Sequence, residues 1–230
     1  MPERDSATVV DLIKQKSVLK RNVFELTKDQ FRVFKKELAA LSEKWTKEIA
    51  DVDPRLEVTF KDIGEFYVQL TIAGDVLIFC MHTNVFKFPE NSFYWKSSYL
   101  KEDTDRAYCG VIQVYNFLAD SFRFNRSKDI GYLVSRILLN KESHFYVEGK
   151  QELAYLFNDF VNAEFNKESR REVIEAIVKY CIDFDLLIPA YKNIQEITLQ
   201  DASTMKDAIS LKTGKRLGFQ FRSGSDFAES

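Results

Sequence analysis

Hydrophobic positions recur every three or four residues at the start of this chain, switch to every second residue in its middle, and return to three and four near its end. In residues 6–21, Val9, Val10, Leu12 and Ile13 stand against Lys14, Lys16 and Lys20, the pattern of a modest amphipathic helix. Thr27-Lys28-Asp29-Gln30 then reads as a capping box, in which a hydroxyl and an amide satisfy the first free N–H groups of a new helix. Behind it Phe31, Phe34, Leu38, Leu41 and Trp45 form one stripe, which predicts a helix over 27–51 ending at Asp51-Val52-Asp53-Pro54. At ~1.5 Å per residue such a helix spans ~33 Å, enough to cross a sheet. Core packing is its expected use, since a coiled-coil seam needs more heptads than this.

From residue 56 to 88 the period is two. Leu56, Val58 and Phe60 alternate with Glu57, Thr59 and Lys61; Phe66, Val68, Leu70 and Ile72 alternate with Tyr67, Gln69 and Thr71. After the turn Ala73-Gly74-Asp75, residues 76–81 are nearly all apolar, as in a central strand. This predicts an antiparallel meander of three strands, with a fourth at 84–88 and further strands at 107–117 and 121–125. Residues 130–139 fit helix or strand; the turn Asn140-Lys141-Glu142-Ser143 and the strand-like 144–150 favour a hairpin. Helices are predicted at 151–165 and 169–187, then a strand at 194–199, a short helix at 203–211 and a last strand at 216–221. The expected fold is α+β: an antiparallel sheet of five to seven strands, a long N-terminal helix across one face, and a paired-helix layer near the C-terminus. One domain over residues 1–222, with a weak seam at 126–129, and a disordered tail at 223–230 complete the expectation.

Composition sharpens this picture in two places. Twenty Phe and ten Tyr, against eight Gly and four Pro, imply long regular elements and a thick aromatic core. The net charge of −2 is not that of a globally basic nucleic-acid binder. Charge is mildly polarised, with 11 basic against 8 acidic residues in the first fifty and 5 against 9 in residues 151–200. Cys80, Cys109 and Cys181 lie far apart among apolar neighbours, which fits reduced thiols of a cytoplasmic protein rather than a disulfide framework or zinc knuckle. The chain starts Met1-Pro2-Glu3-Arg4-Asp5, with no apolar run of signal-peptide length, and no membrane partner is expected.

The densest chemistry sits in His144-Phe145-Tyr146-Val147-Glu148-Gly149-Lys150. As a strand it sends His144, Tyr146, Glu148 and Lys150 to one face, and Phe145 and Val147 to the other. Arg136 lies across the hairpin and faces Glu148 only if the loop has three residues, because a one-residue slip reverses the faces. A Glu-x-Lys pair closing a strand, with Asp129 upstream and Gln151 opening a helix, resembles the minimal pattern of metal-dependent nucleases of the PD-(D/E)xK type. The resemblance covers about twenty-three residues; Gly149 stands where that family has an apolar residue, and no Pro precedes Asp129. It implies a magnesium ion held by Asp129 and Glu148, a water positioned by Lys150, and His144 or Arg136 assisting.

Other constellations are thinner. Cys80 and His82 share a strand face without two further ligands nearby. Tyr94 and Trp95, with Phe86, Phe88, Phe93 and Tyr99, interleave with Lys87, Lys96 and Lys101, a pattern suited to stacking bases or a partner's side chains, or to a loop folded over the sheet. Lys212, Lys215, Arg216 and Arg222 could touch phosphates, but Gly214 and Gly218 make no phosphate loop, and no GxSxG, HExxH, GxGxxG or EF-hand pattern occurs. The function expected is therefore a non-enzymatic interaction or adaptor module without a cofactor, binding a protein partner or itself. A nuclease using the Asp129, Glu148 and Lys150 set is the second expectation, and a small-ligand binder with an aromatic-lined cavity between sheet and helix is the third.

Overall fold

The computed structural model describes residues 8–186, with 188, 191, 195, 196, 198 and 199 beyond them. The strand, helix and basic cluster expected after residue 200 lie outside the described residues, as does the tail. The strand expected at 194–199 is described only at isolated positions.

A single long helix opens the fold. Val9–Leu12, a π-helical stretch Ile13–Ser17 and Val18–Ile49 follow one another without interruption and are together called α1. Its start is fixed by a capping box at Thr8 and Asp11, where Asp11 N–H donates to Thr8 Oγ1 (3.2 Å) and Thr8 N–H donates to Asp11 Oδ2 (3.1 Å). The expected second start at Thr27 is corrected: Thr27 is fully buried in mid-helix and donates its hydroxyl to the Val23 carbonyl (2.7 Å). No Gly or Pro separates residues 9 and 49, so nothing breaks the helix there.

Seven antiparallel strands come next: β1 Val58–Gly64, β2 Tyr67–Ile72, β3 Asp75–Met81, β4 Phe86–Lys87, β5 Tyr108–Leu118, β6 Tyr132–Asn140 and β7 Phe145–Gly149. Their order is β1-β2-β3-β5-β6-β7, with β4 also pairing β5, so the sheet runs unbroken across residues 126–129. The short helices are α2 Ser98–Glu102, α3 Ala119–Arg123 and α4 Gln151–Leu156, and α5 is Lys167–Ile182. The fold is thus α+β, with α1 and α5 packed on one sheet face.

The core lies between that face and the helices. Phe31, Phe34, Leu38 and Leu41 of α1 meet Leu70, Phe79, Ile112 and Ile137 of the sheet, and Val173, Ile174 and Ile177 of α5 complete it. Phe34 stands 5.4 Å from Phe79 and 6.2 Å from Phe165, centroid to centroid. A close approach makes this packing work at one point: a Cβ on Gly110 would fall 2.1 Å from Thr27 Oγ1, so β5 needs glycine beneath α1.

Two further expectations are corrected. The alternation in residues 121–125 predicts a strand, yet residues 119–123 form α3. The chain must travel from the end of β5 back to the start of β6, which is already its pairing partner, and Phe122 packs edge-on against Phe117 at 5.6 Å. The helix expected over 151–165 stops at Leu156. Beyond it the backbone turns along the outer edge of β7, where Val147 N–H donates to the Phe157 carbonyl (2.9 Å) and Phe145 N–H to the Ala163 carbonyl (3.0 Å). Covering an edge strand outweighs continuing the helix, since bare edge N–H groups invite mispairing.

Candidate functional site

The hairpin β6–β7 settles the register that sequence leaves open. Leu139 pairs with Phe145 and Arg136 with Glu148, so the loop has three residues, Lys141, Glu142 and Ser143. Asn140, fully buried, holds that loop: its Oδ1 accepts from the backbone N–H of Glu142 (2.9 Å) and His144 (3.0 Å), and Nδ2 donates to the Tyr99 hydroxyl (2.8 Å). Ser143 takes a left-handed φ of 62° to close the turn. Phe145 and Val147 enter the main core, while Tyr146 and Glu148 point to the opposite face.

On that opposite face the register lines up Tyr67, Cys80, Gln113, Arg136 and Glu148 in one row across five strands. Arg136 forms an ion pair with Glu148, both about half exposed. Such a surface pair contributes ~0–1 kcal/mol. Burial pushes the Cys80 thiol above its ordinary range, which disfavours the thiolate.

One end of the same face is roofed by aromatics. Tyr94 lies 5.0 Å from Tyr146, 5.3 Å from Phe88 and 5.3 Å from Phe160. Trp95 is half-buried in this layer and donates Nε1–H to the Pro89 carbonyl (2.9 Å). Tyr94 is spent on its ring neighbours, and Trp95 packs beside them with Lys87 Nζ 5.2 Å from its ring centre, so both belong to a loop folded over the sheet. Burial raises the Tyr146 phenol well above its ordinary value, with Glu148 adding to the shift.

His144 sits beside this roof. Its ring stacks on Tyr99 at 4.9 Å, and Nδ1 lies 3.2 Å from the Phe160 carbonyl. A carbonyl only accepts, so Nδ1 carries the proton and Nε2 is the lone-pair nitrogen when the ring is neutral. Tyr99 in turn donates to Glu142 Oε2 (2.8 Å), and Arg106 Nε donates to Glu142 Oε1 (2.9 Å) with its guanidinium 4.3 Å from the Tyr99 ring centre. Burial tends to raise the Glu142 carboxyl, but the hydrogen bonds from Arg106 and Tyr99 outweigh it and hold the group below its usual range. The network joins the hairpin tip to α2 and closes on itself, which is the arrangement of a structural clasp.

The residues of the nuclease-like pattern are not gathered. Asp129 accepts from Ser121 Oγ (2.6 Å) and has Arg126 Nη1 at 3.8 Å, so it ties the connection between β5 and β6 to α3. Glu148 faces Arg136, which is four residues, ~13 Å, inside β6 from Tyr132. Lys150 opens α4 at its N-cap position. His144 and Glu148 stand ~13 Å apart along one strand. Among the described residues, no group of three or more His, Cys, Asp or Glu side chains could hold a metal ion. Gly149 sits in a tight place of its own: a Cβ there would lie 3.0 Å from the Val134 carbonyl and 3.2 Å from Ser135 Cβ, so a larger residue would need its neighbours to shift by a few tenths of an ångström.

Two features carry no motif and escape sequence reasoning. The first is the N-terminal part of α1: residues 9–22 bury no side chain, and Val9, Val10, Leu12, Ile13 and Val18 are all exposed. The apolar spacing is visible in the sequence, but its lack of a cover is not. The second is a groove of about 830 Å³ between α4 and α5, floored by Leu153, Leu156, Phe157, Ala176 and Tyr180. It lies beside the paired helices, whereas the space between sheet and α1 is filled by Phe31, Phe34, Phe79 and their neighbours. No helix among the described residues is long and apolar enough to cross a membrane. No protein family, curated protein or solved structure matches this chain.

Proposed function

We propose that this protein is a non-enzymatic interaction module of a reducing, cytoplasmic setting, and that it associates with a second copy through the projecting start of α1. The observation that carries the reading is residues 9–22. This stretch of ~21 Å is helical, exposes Val9, Val10, Leu12, Ile13 and Val18, and has no fully buried side chain. Val9, Leu12 and Ile13 stand one turn apart on one side, the π-helical turn Ile13–Ser17 then rotates the helix face, and Val23 is the first side chain fully buried. Exposed apolar side chains at the start of a helix that continues into a core are costly to leave in water and invite a partner surface. Three cysteines without a disulfide support the reducing setting.

Sedimentation velocity over a wide concentration range tests the reading. Self-association is expected in the unaltered protein and is expected to fall by more than about tenfold in affinity when Leu12 and Ile13 are both changed to Glu. A monomer at every concentration would count against it.

A further inference from the structure

The projecting helix has a receptor of matching chemistry in the same fold, whose role rests on the self-association proposed for that helix. Over residues 8–22 the helix carries Lys14, Lys16, Lys20 and Arg21 against the single acid Asp11. None of the three lysines has an ion-pair partner among the described residues. The groove between α4 and α5 is the inverse. Its apolar floor is rimmed by Glu152, Glu172, Glu175 and Asp183, with Lys179 the one base in its lining. Lys179 approaches Glu175 only to 4.0 Å, so the rim is weakly neutralised from within. Burial raises the Tyr180 phenol at the groove floor, with smaller contributions from Cys181 and Glu152. Leu156 and Ile182 at the groove are more than half exposed, as Val9 and Ile13 are on the helix.

From this complementarity we infer that the α4–α5 groove of one copy receives the basic, apolar start of α1 from a second copy. The mode is an amphipathic helix laid into a groove, with Val9, Leu12 and Ile13 entering the floor and the lysines meeting the acidic rim. A molecule cannot fill its own groove this way, because α1 is unbroken from residue 9 to 49 and its projecting part buries nothing against its own body. The two surfaces are different patches, so the contact is heterologous. Two copies can satisfy both contacts in a reciprocal dimer, or copies can add in an open chain. Two facing helices of like charge, in contrast, would repel.

Charge reversal tests the pairing on the full chain. One variant carries Lys14→Glu and Lys16→Glu; the other carries Glu172→Lys and Glu175→Lys, both at solvent-accessible positions whose exchange leaves the core untouched. Each alone is expected to lose at least about tenfold in self-affinity by sedimentation velocity. Mixed one to one, they are expected to associate again, because each then supplies the sign the other lacks. If the groove variant associates as the unaltered protein does while Leu12→Glu with Ile13→Glu abolishes association, the groove is not the receptor and the projecting helix still docks elsewhere. If the unaltered protein never associates, both readings fall.

Discussion

The two parts of α1 carry the same kind of pattern and meet opposite fates. From Val23 onward the stripe of Phe31, Phe34, Leu38 and Leu41 is buried against the sheet and α5. Before Val23, Val9, Val10, Leu12, Ile13 and Val18 lie in solvent on the same continuous helix. The difference teaches that three-four spacing encodes a face that needs a cover, and that what covers it is decided elsewhere in the chain. For the second part, β2, β3, β5 and β6 supply the cover, down to the glycine at 110 that lets Thr27 approach. For the first part, none of the described residues does.

Truncation should separate the two parts most sharply. Phe34→Ala removes a fully buried ring from the centre of the main core and is expected to cost ~3–5 kcal/mol in unfolding free energy by urea denaturation. Ile13→Ala, at an exposed helix position, is expected to stay within ~0.5 kcal/mol at low protein concentration. Comparable losses at both positions would mean that the projecting part is covered within the monomer, and the contrast would collapse.

A polar cover gives a smaller effect that sharpens the same contrast. The hairpin tip is joined to α2 by the polar groups of Glu142, Arg106, Tyr99 and Asn140, beside an apolar cluster that includes Tyr99, Leu100 and Leu138. Glu142 titrates below its ordinary value in the folded protein. Its contribution is therefore present above the unfolded-state carboxylate range and is lost as pH falls through the lowered folded value. Glu142→Gln should cost no more than ~1 kcal/mol at neutral pH, given that the group is about one-third exposed. The gap between variant and unaltered protein should close on acidification, whereas the Phe34→Ala loss should persist. A gap that stays constant with pH would mean that the carboxylate charge plays no part in holding the hairpin tip.

These contrasts also show what is readable in the sequence and why. The period of two in residues 56–81 and the stripe from Phe31 to Trp45 survive because local pattern and tertiary burial agree there. The hairpin face of Tyr146 and Glu148 survives for the same reason, although its register rests on the Asn140 side chain, and an Asn at a turn signals the turn without fixing the loop length. Thr27-x-x-Gln30 misleads because a capping box is only a possibility of local bonding; the buried hydroxyl finds the Val23 carbonyl instead. Residues 157–165 mislead because their apolar positions fit a helix, while the open edge of β7 claims their carbonyl groups. Tyr146 and Glu148 share one face of β7, as their alternation implies. The ionisable groups of that stretch are nonetheless drawn to separate partners: Glu148 to Arg136, His144 to Tyr99 and the Phe160 carbonyl. Sequence spacing places side chains along a strand but does not say which neighbours arrive from other elements.

The most direct test is amide hydrogen exchange along α1, measured at a low and a high protein concentration. Amides of residues 23–45 are expected to be protected at both, while those of residues 9–22 exchange rapidly when dilute and gain protection as concentration rises. Protection of residues 9–22 that is already complete in dilute solution, or that never appears at any concentration, would contradict a projecting helix that is covered by a second copy.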